Sequence, residues 1–369
     1  MRSAPGKKRS APLAHHGPGG RFRNPWPEAA GDDAVRRKFL KVAWEWLTTR
    51  HPPDPDPSAL PPGTPRLSLP VAREGEVRIT WVGHATALIQ LPGLNVLTDP
   101  VWSPRAGPFG RVGPRRFVPA LPELEDLPPI HAVLLSHDHY DHLDHGTVRA
   151  LHARYGDELL WCAPLGHRAW LRRRGITRVA ERDWWQEVEL PEGKGRAVCV
   201  PARHWSRRTP FGTNRRLWCG WVIRTEGDGS EAKVFYAGDT GYSSLFRDVG
   251  TELGPFHAAL LPVGAYRPRW FMKASHMDPE EAVQAWEDLG KRGILLAMHW
   301  GTFRLTFEDP LEPPVRAREA WERRGHRPEN LRIPHHGETV VCILPRAAER
   351  GGCGRPPSST ALQDPGDVP

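Results

Sequence analysis

A chain of 369 residues with 39% hydrophobic and 25% charged residues can bury a large core, which excludes a fibrous or wholly disordered protein. No segment approaches the ~18–20 apolar residues that cross a bilayer, and the basic start Met1–Lys8 has no apolar run behind it, so neither a transmembrane helix nor a secretory signal is expected. The net charge of +8 invites an anionic partner, yet the arginines are scattered without a basic helix or a nucleic-acid module, so nucleic acid is not expected.

Residues 1–23, rich in Pro, Gly and basic residues, read as a disordered tail. Residues 24–76 form an N-terminal extension with one helix over 33–50 and a proline-rich linker over 51–70. Phe39, Val42, Ala43, Trp46 and Leu47 repeat at helical spacing. Their face is expected to pack on the domain, with peripheral membrane contact as the alternative use of its aromatics and lysines. From Val77 the pattern becomes strands: 77–82, 87–91 and 95–98 make an antiparallel meander. His84, after the first, reads equally as a loop hydrogen bonder or a site wall. Asp99, closing the third, reads equally as a turn starter or a carboxylate orienting a metal ligand.

The next apolar run, Ala132 to Leu135, halts at Ser136, and His137, His139, Asp141 and His142 follow within six residues. Extended residues two apart project to one side, so His137 and His139 can share an ion. A turn into a helix then offers Asp141 and His142 to a second. Imidazole and carboxylate without thiolate suit zinc, with iron or manganese as alternatives. Three later apolar runs end the same way, at His204, Asp239 and His299, so four strands bring ligand-type residues to one sheet edge. Residues 145–173 read as helix, short strand and helix, and 176–224 return to strands. The stretch 278–290 is a helix capped by Asp278 with Pro279 at its first position. Residues 346–369 carry no apolar periodicity and read as a second disordered tail. The five cysteines show no metal-type spacing and read as reduced thiols of a cytoplasmic protein.

The order His-x-His-x-Asp-His, then a distant His, Asp and His, resembles the metallo-β-lactamase superfamily. The blocks Trp81 to Thr86, Thr98 to Val101, Ser136 to Asp144, Asp183 to Trp185, Pro201 to Trp205, Ala237 to Tyr242, Gly264 to Tyr266, Arg269 to Lys273, His276 to Ala282 and Met298 to Phe303 narrow the likeness. Together they resemble its N-acylphosphatidylethanolamine-hydrolysing phospholipase D branch, over about residues 24 to 345. Asp138 departs from the pattern, which carries Asn in the animal enzyme; in an extended reading it faces away from the metals. The resemblance implies an α/β fold, the αββα four-layer sandwich, with residues 77–345 as the metallo-hydrolase domain. It also implies a dinuclear zinc site: His137, His139 and His204 on one ion, Asp141, His142 and His299 on the other, Asp239 bridging. Two ions ~3.5–4 Å apart share a water and lower its pKa from ~15.7 toward ~7, giving a hydroxide that attacks phosphorus or a carbonyl. Asp141, Asp239 and His276 are the catalytic candidates, and Tyr266, Arg269 and His276 the substrate contacts. The implied substrate is a phospholipid or another phosphodiester, at a peripheral membrane surface, and a homodimer is allowed. The alternatives are a metal-dependent lactonase or phosphodiesterase on a soluble phosphorylated substrate, and a metal-binding sensor without turnover.

Overall fold

The strand sequences are apolar on both faces, which requires cover on both sides of each sheet. In the computed structural model, which describes residues 14–26, 41–226 and 231–344 apart from Ala43, this cover comes from stacking two sheets and placing helices outside them. The first sheet has the order β14-β1-β2-β3-β4-β5-β6. Its strands are β1 (Glu76–Gly83), β2 (Thr86–Leu91), β3 (Leu94–Thr98), β4 (Ala132–Leu134), β5 (Leu160–Pro164), β6 (Val179–Arg182) and β14 (Thr339–Ile343). The second has the order β13-β12-β11-β10-β9-β8-β7. It is built from β7 (Glu187–Glu189), β8 (Arg196–Val200), β9 (Gly220–Glu226), β10 (Glu231–Tyr236), β11 (Ala258–Pro262), β12 (Ile294–Met298) and β13 (Leu331–Arg332). In the first sheet β14, β1, β2 and β3 pair antiparallel and β4, β5 and β6 join in parallel; in the second, β7, β8, β9 and β10 pair antiparallel and β11, β12 and β13 join in parallel. The helices are α1 (His145–Tyr155), α2 (Arg168–Arg172), α3 (Leu245–Leu253), α4 (Arg269–Met272), α5 (Pro279–Asp288) and α6 (Glu312–Arg323). This is the four-layer α/β sandwich expected.

Period-two alternation sorts the side chains. On β5, Leu160 and Cys162 join the core shared by the two sheets, while Trp161 and Ala163 pack with Val148 and Leu151 of α1 and Trp170 and Leu171 of α2. Outside the second sheet, Phe246 of α3 meets Phe235 of β10 edge-on, and Trp286 of α5 packs on Trp321 of α6. The sheets are also pinned by buried indoles. Trp221 on β9 donates to the carbonyl of Leu135 at 2.8 Å, and the Cys219 amide donates to Ser136 at 3.0 Å, fixing the segment that enters the histidine-rich loop. A buried N–H left unpaired costs ~1–3 kcal/mol, so these bonds define how the sheets register. The α5 start is a full capping box, Asp278 with Glu281.

Part of the expected N-terminal tail is bound to the domain instead. Residues 14–26 are tied to the loops after β6 and after β8: Phe22 N donates to the Asn214 carbonyl at 2.7 Å, and the His15 and His16 rings meet the two oxygens of Asp183 at 2.7 and 2.9 Å. Composition averages over such polar anchors, which is why the segment read as disordered. Residues 1–13 and 345–369 lie outside the described residues, as does much of the helix expected over 33–50; positions 41–42 and 44–48 are helical. The proline-rich stretch 51–70 contains only a short 3-10 turn, Pro57–Ala59, but it is seated on the domain through buried Leu60, the Asp54–Arg304 pair and the Ser68 amide on Gln90. No helix among the described residues is long and apolar enough to cross a membrane.

Candidate metal centre

Each donor sits where an apolar strand runs out. The loop after β4 carries His137, His139, Asp141 and His142, and Asp144 then caps α1 by accepting from the Gly146 and Thr147 amides. His204 follows β8, Asp239 follows β10 and His299 follows β12. These seven residues, spread over 163 positions from His137 to His299 in the chain, join with His84 in two adjoining groups of four. In the first, donor atoms of His137, His139, His204 and Asp239 lie within 4.8 Å of one another; in the second, so do those of His84, Asp141, His142 and His299. Asp239 stands between them. Its Oδ2 is 3.1 Å from His142 Nε2 and 3.8 Å from His204 Nε2, and its Oδ1 is 3.0 Å from His299 Nε2.

The environment fixes which ring nitrogen faces inward. His142 Nδ1 is 2.6 Å from Asp99 Oδ2, a carboxylate that also accepts from the Ser136 amide at 2.7 Å and the Tyr236 hydroxyl at 2.6 Å. His204 Nδ1 donates to the Ser275 carbonyl at 3.0 Å, and the His204 carbonyl accepts from Asn24 Nδ2 at 2.8 Å. In both residues Nε2 is left with its lone pair toward the cluster. Asp99 thus makes the orienting contact rather than serving only as a turn starter.

The donors fit divalent cations. His137 Nε2 and His139 Nδ1 are 2.8 Å apart, and His142 Nε2 and His299 Nε2 are 3.3 Å apart, with all but the half-buried His139 fully buried. Lone pairs held so close repel unless a positive centre lies between them. Burial, reinforced by the neighbouring imidazoles, holds His137 well below the ordinary histidine range; burial likewise dominates at His204, which is also held well below it. Neutral imidazole is the form that binds metal. At His142 burial is outweighed by the Asp239 and Asp141 carboxylates, which hold it well above its usual value, and at Asp239 burial is outweighed by His142 and His299, which hold it well below. Nitrogen and carboxylate donors without thiolate are the zinc, iron or manganese set.

His84, undecided from sequence, belongs here. Its Nε2 is 2.9 Å from Asp141 Oδ2, its ring lies 3.8 Å from that of His299, and its carbonyl accepts from the His299 amide at 2.9 Å. The readable signal was its position, at the end of β1 as the other donors end their strands. His276 also reaches the cluster: its ring is 5.0 Å from that of His204, its Nδ1 is 4.0 Å from Asp239 Oδ2 without a hydrogen-bond partner, and burial pushes it down to about 4. The other two expected substrate contacts lie elsewhere. Tyr266 is fully buried under the Arg316 guanidinium, and Arg269 is committed to the His276 carbonyl at 3.0 Å and to Glu281 at 2.7 Å. Asp138 points away from the donors, paired with Arg216 at 2.6 Å.

Comparison with known proteins gives the following likenesses. A family model described as a β-lactamase superfamily domain matches residues 94–300. An uncharacterized protein of Mycobacterium tuberculosis is 40% identical over 291 residues, 77% of this chain and 74% of its own length. An N-acyl-phosphatidylethanolamine-hydrolyzing phospholipase D of Caenorhabditis elegans is 39% identical over 254 residues, 66% of this chain and 70% of its own. Among solved structures, a metallo hydrolase from Ignicoccus hospitalis superposes with a TM-score of 0.53 at 24% identity, covering 72% of this chain and 98% of that one, which bears on the fold alone.

Proposed function

Because the chain belongs to the metallo-β-lactamase superfamily and is a metal-dependent hydrolase of that fold, we propose that it is a dinuclear zinc phosphodiesterase of phospholipase D type acting on N-acylphosphatidylethanolamine-like lipids. The observation that carries the reading is the convergence of six donors around a seventh, the buried Asp239, which leaves one carboxylate between two sets of imidazoles. His137, His139 and His204 would hold one ion, Asp141, His142 and His299 the other, with Asp239 available to both. Bound there, two divalent ions supply Lewis acidity and a water of lowered pKa. The remaining work falls to the chain. Asp99 fixes the His142 ring, and Ser275 and Asn24 hold His204 at its ring and its carbonyl. His84 steadies Asp141 through its ring and His299 through its carbonyl. His276 contacts the substrate, and its uncharged ring accepts at the free Nδ1 a proton from the attacking water and passes it to the leaving oxygen. Arg269 sets the His276 loop by gripping its carbonyl.

The lipid reading is supported by the 39% identity with the nematode phospholipase. It is tested by incubating the zinc-loaded protein with N-acylphosphatidylethanolamine and, separately, with a sugar lactone, with metal content measured on the same sample. Release of N-acylethanolamine that ceases on chelation is the expected result. Lactone opening with intact lipid would replace the substrate assignment while keeping the centre, and turnover undiminished by full metal removal would sink the mechanism.

A further inference from the structure

Beside the metal loop, on the flank formed by α1 and α2, positive charge collects around one indole. The Arg174 guanidinium lies 3.4 Å from the centroid of the Trp170 ring, Arg208 lies 4.8 Å from the same ring and 4.2 Å from that of Tyr140, and the His145 ring meets Trp170 edge-on at 6.4 Å. Arg149, one turn along α1, acts with Arg174 and Arg208 on His145. The nearby acids are committed: Asp138 to Arg216 at 2.6 Å, Asp144 to the α1 cap. Among the described residues no carboxylate comes within ion-pair distance of Arg149, Arg174 or Arg208.

Stacking satisfies the faces of the Arg174 and Arg208 guanidiniums, whereas their N–H donors lie in the plane of each fork. Arg174 spends one on the Trp170 carbonyl at 2.8 Å while its Nε is buried without a partner; Arg208 spends one on the Asp138 carbonyl at 3.0 Å. Two cations held on aromatic rings with unspent donors, and a third exposed beside them on α1, with no counter-charge in ion-pair distance, are complementary to a compact oxyanion of more than one charge. We propose that Arg149, Arg174 and Arg208 form a binding site for a phosphate monoester group, on a lipid headgroup or on a small molecule. The Tyr140 hydroxyl, donating to the Arg208 carbonyl at 3.0 Å, joins the site to the loop carrying His139 and Asp141. The site adjoins the metal centre without sharing a ligand with it, and it does not depend on the lipid reading above.

The test uses the full-length, metal-loaded protein and two probes: phosphatidylcholine vesicles with or without phosphatidic acid, assayed by sedimentation, and glycerol 3-phosphate, assayed by calorimetry. The variants are Arg149→Glu, whose side chain is exposed and leaves the fold intact, and the Arg174→Gln/Arg208→Gln pair, with melting temperature as its fold check. Each lost charge is expected to weaken binding roughly fivefold, with binding to pure phosphatidylcholine unchanged. Loss on phosphatidic acid vesicles alone identifies a headgroup site, and loss for glycerol 3-phosphate as well identifies a site for the free group. Wild-type protein indifferent to both probes, or an Arg149→Glu protein that binds both as the wild type does, overturns the proposal. Since binding is read apart from turnover, a failed substrate assignment leaves this result standing.

Discussion

The two sheets are built on one plan and furnished differently. Position by position, β14-β1-β2-β3 followed by β4-β5-β6 corresponds to β7-β8-β9-β10 followed by β11-β12-β13. In equivalent places His84 follows β1 where His204 follows β8, and Asp99 follows β3 where Asp239 follows β10. The first half turns His84 and Asp99 to holding other side chains, at 2.9 Å from Asp141 and 2.6 Å from His142; the second half turns His204 and Asp239 into the cluster itself. After β4 four donors arrive together, whereas the loop after β11, Gly264 to Arg267, carries none and is gathered by the buried Glu308 carboxylate through three backbone amides. A strand end can thus supply either a ligand or the group that aims one, and what the partner half contributes decides which.

The sharpest way to break this pairing is to make the same change at both aspartates. Asp239→Asn is expected to cost more than the ~10–100-fold typical of losing an orienting partner, with metal content per chain falling below two; retained content and activity would deny it the bridging place. Asp99→Asn should stay within that ~10–100-fold range, seen as weaker metal binding in competition with a chelator. The histidine pair repeats the contrast, and His84→Ala should weaken metal binding less than His204→Ala in the same assay. Equal losses would place both histidines in one role. A smaller effect is expected from Gly264→Ala, because its new methyl would run into the His299 carbonyl. Such overpacking costs ~1–3 kcal/mol, read by denaturant unfolding. Smallest is Arg247→Ala, which removes an exposed pair with Asp288 and should change stability by no more than ~1 kcal/mol.

The first half's donors could be read directly, since His137 to His142 are contiguous and nothing in packing asks for such density. Those of the second half could be read only because each closes an apolar run. The β1–β3 meander, the helix capped by Asp278 and the strand leading to His299 followed from periodicity and cap chemistry, which act over a few residues. Contacts made across the chain left no such trace. Nothing near Asn24 says that its amide will meet the carbonyl of His204, and Tyr266 looks the same in sequence whether it lines a pocket or lies under Arg316. The orientation of His84 toward Asp141 is likewise a product of the sheets' packing, not of its neighbours.

The pairing of β14 with β1, from Glu76 opposite Ile343 to Thr80 opposite Thr339, sets a schedule for biosynthesis. One edge of the first sheet stays open until the last strand has left the ribosome, so the β1 backbone, with Val77, Ile79 and Trp81 fully buried when mature, waits through the synthesis of more than 250 residues as a template for unwanted strand addition. Chains stopped short of Thr339 would therefore be expected in aggregates or on chaperones even with every metal-facing side chain already made.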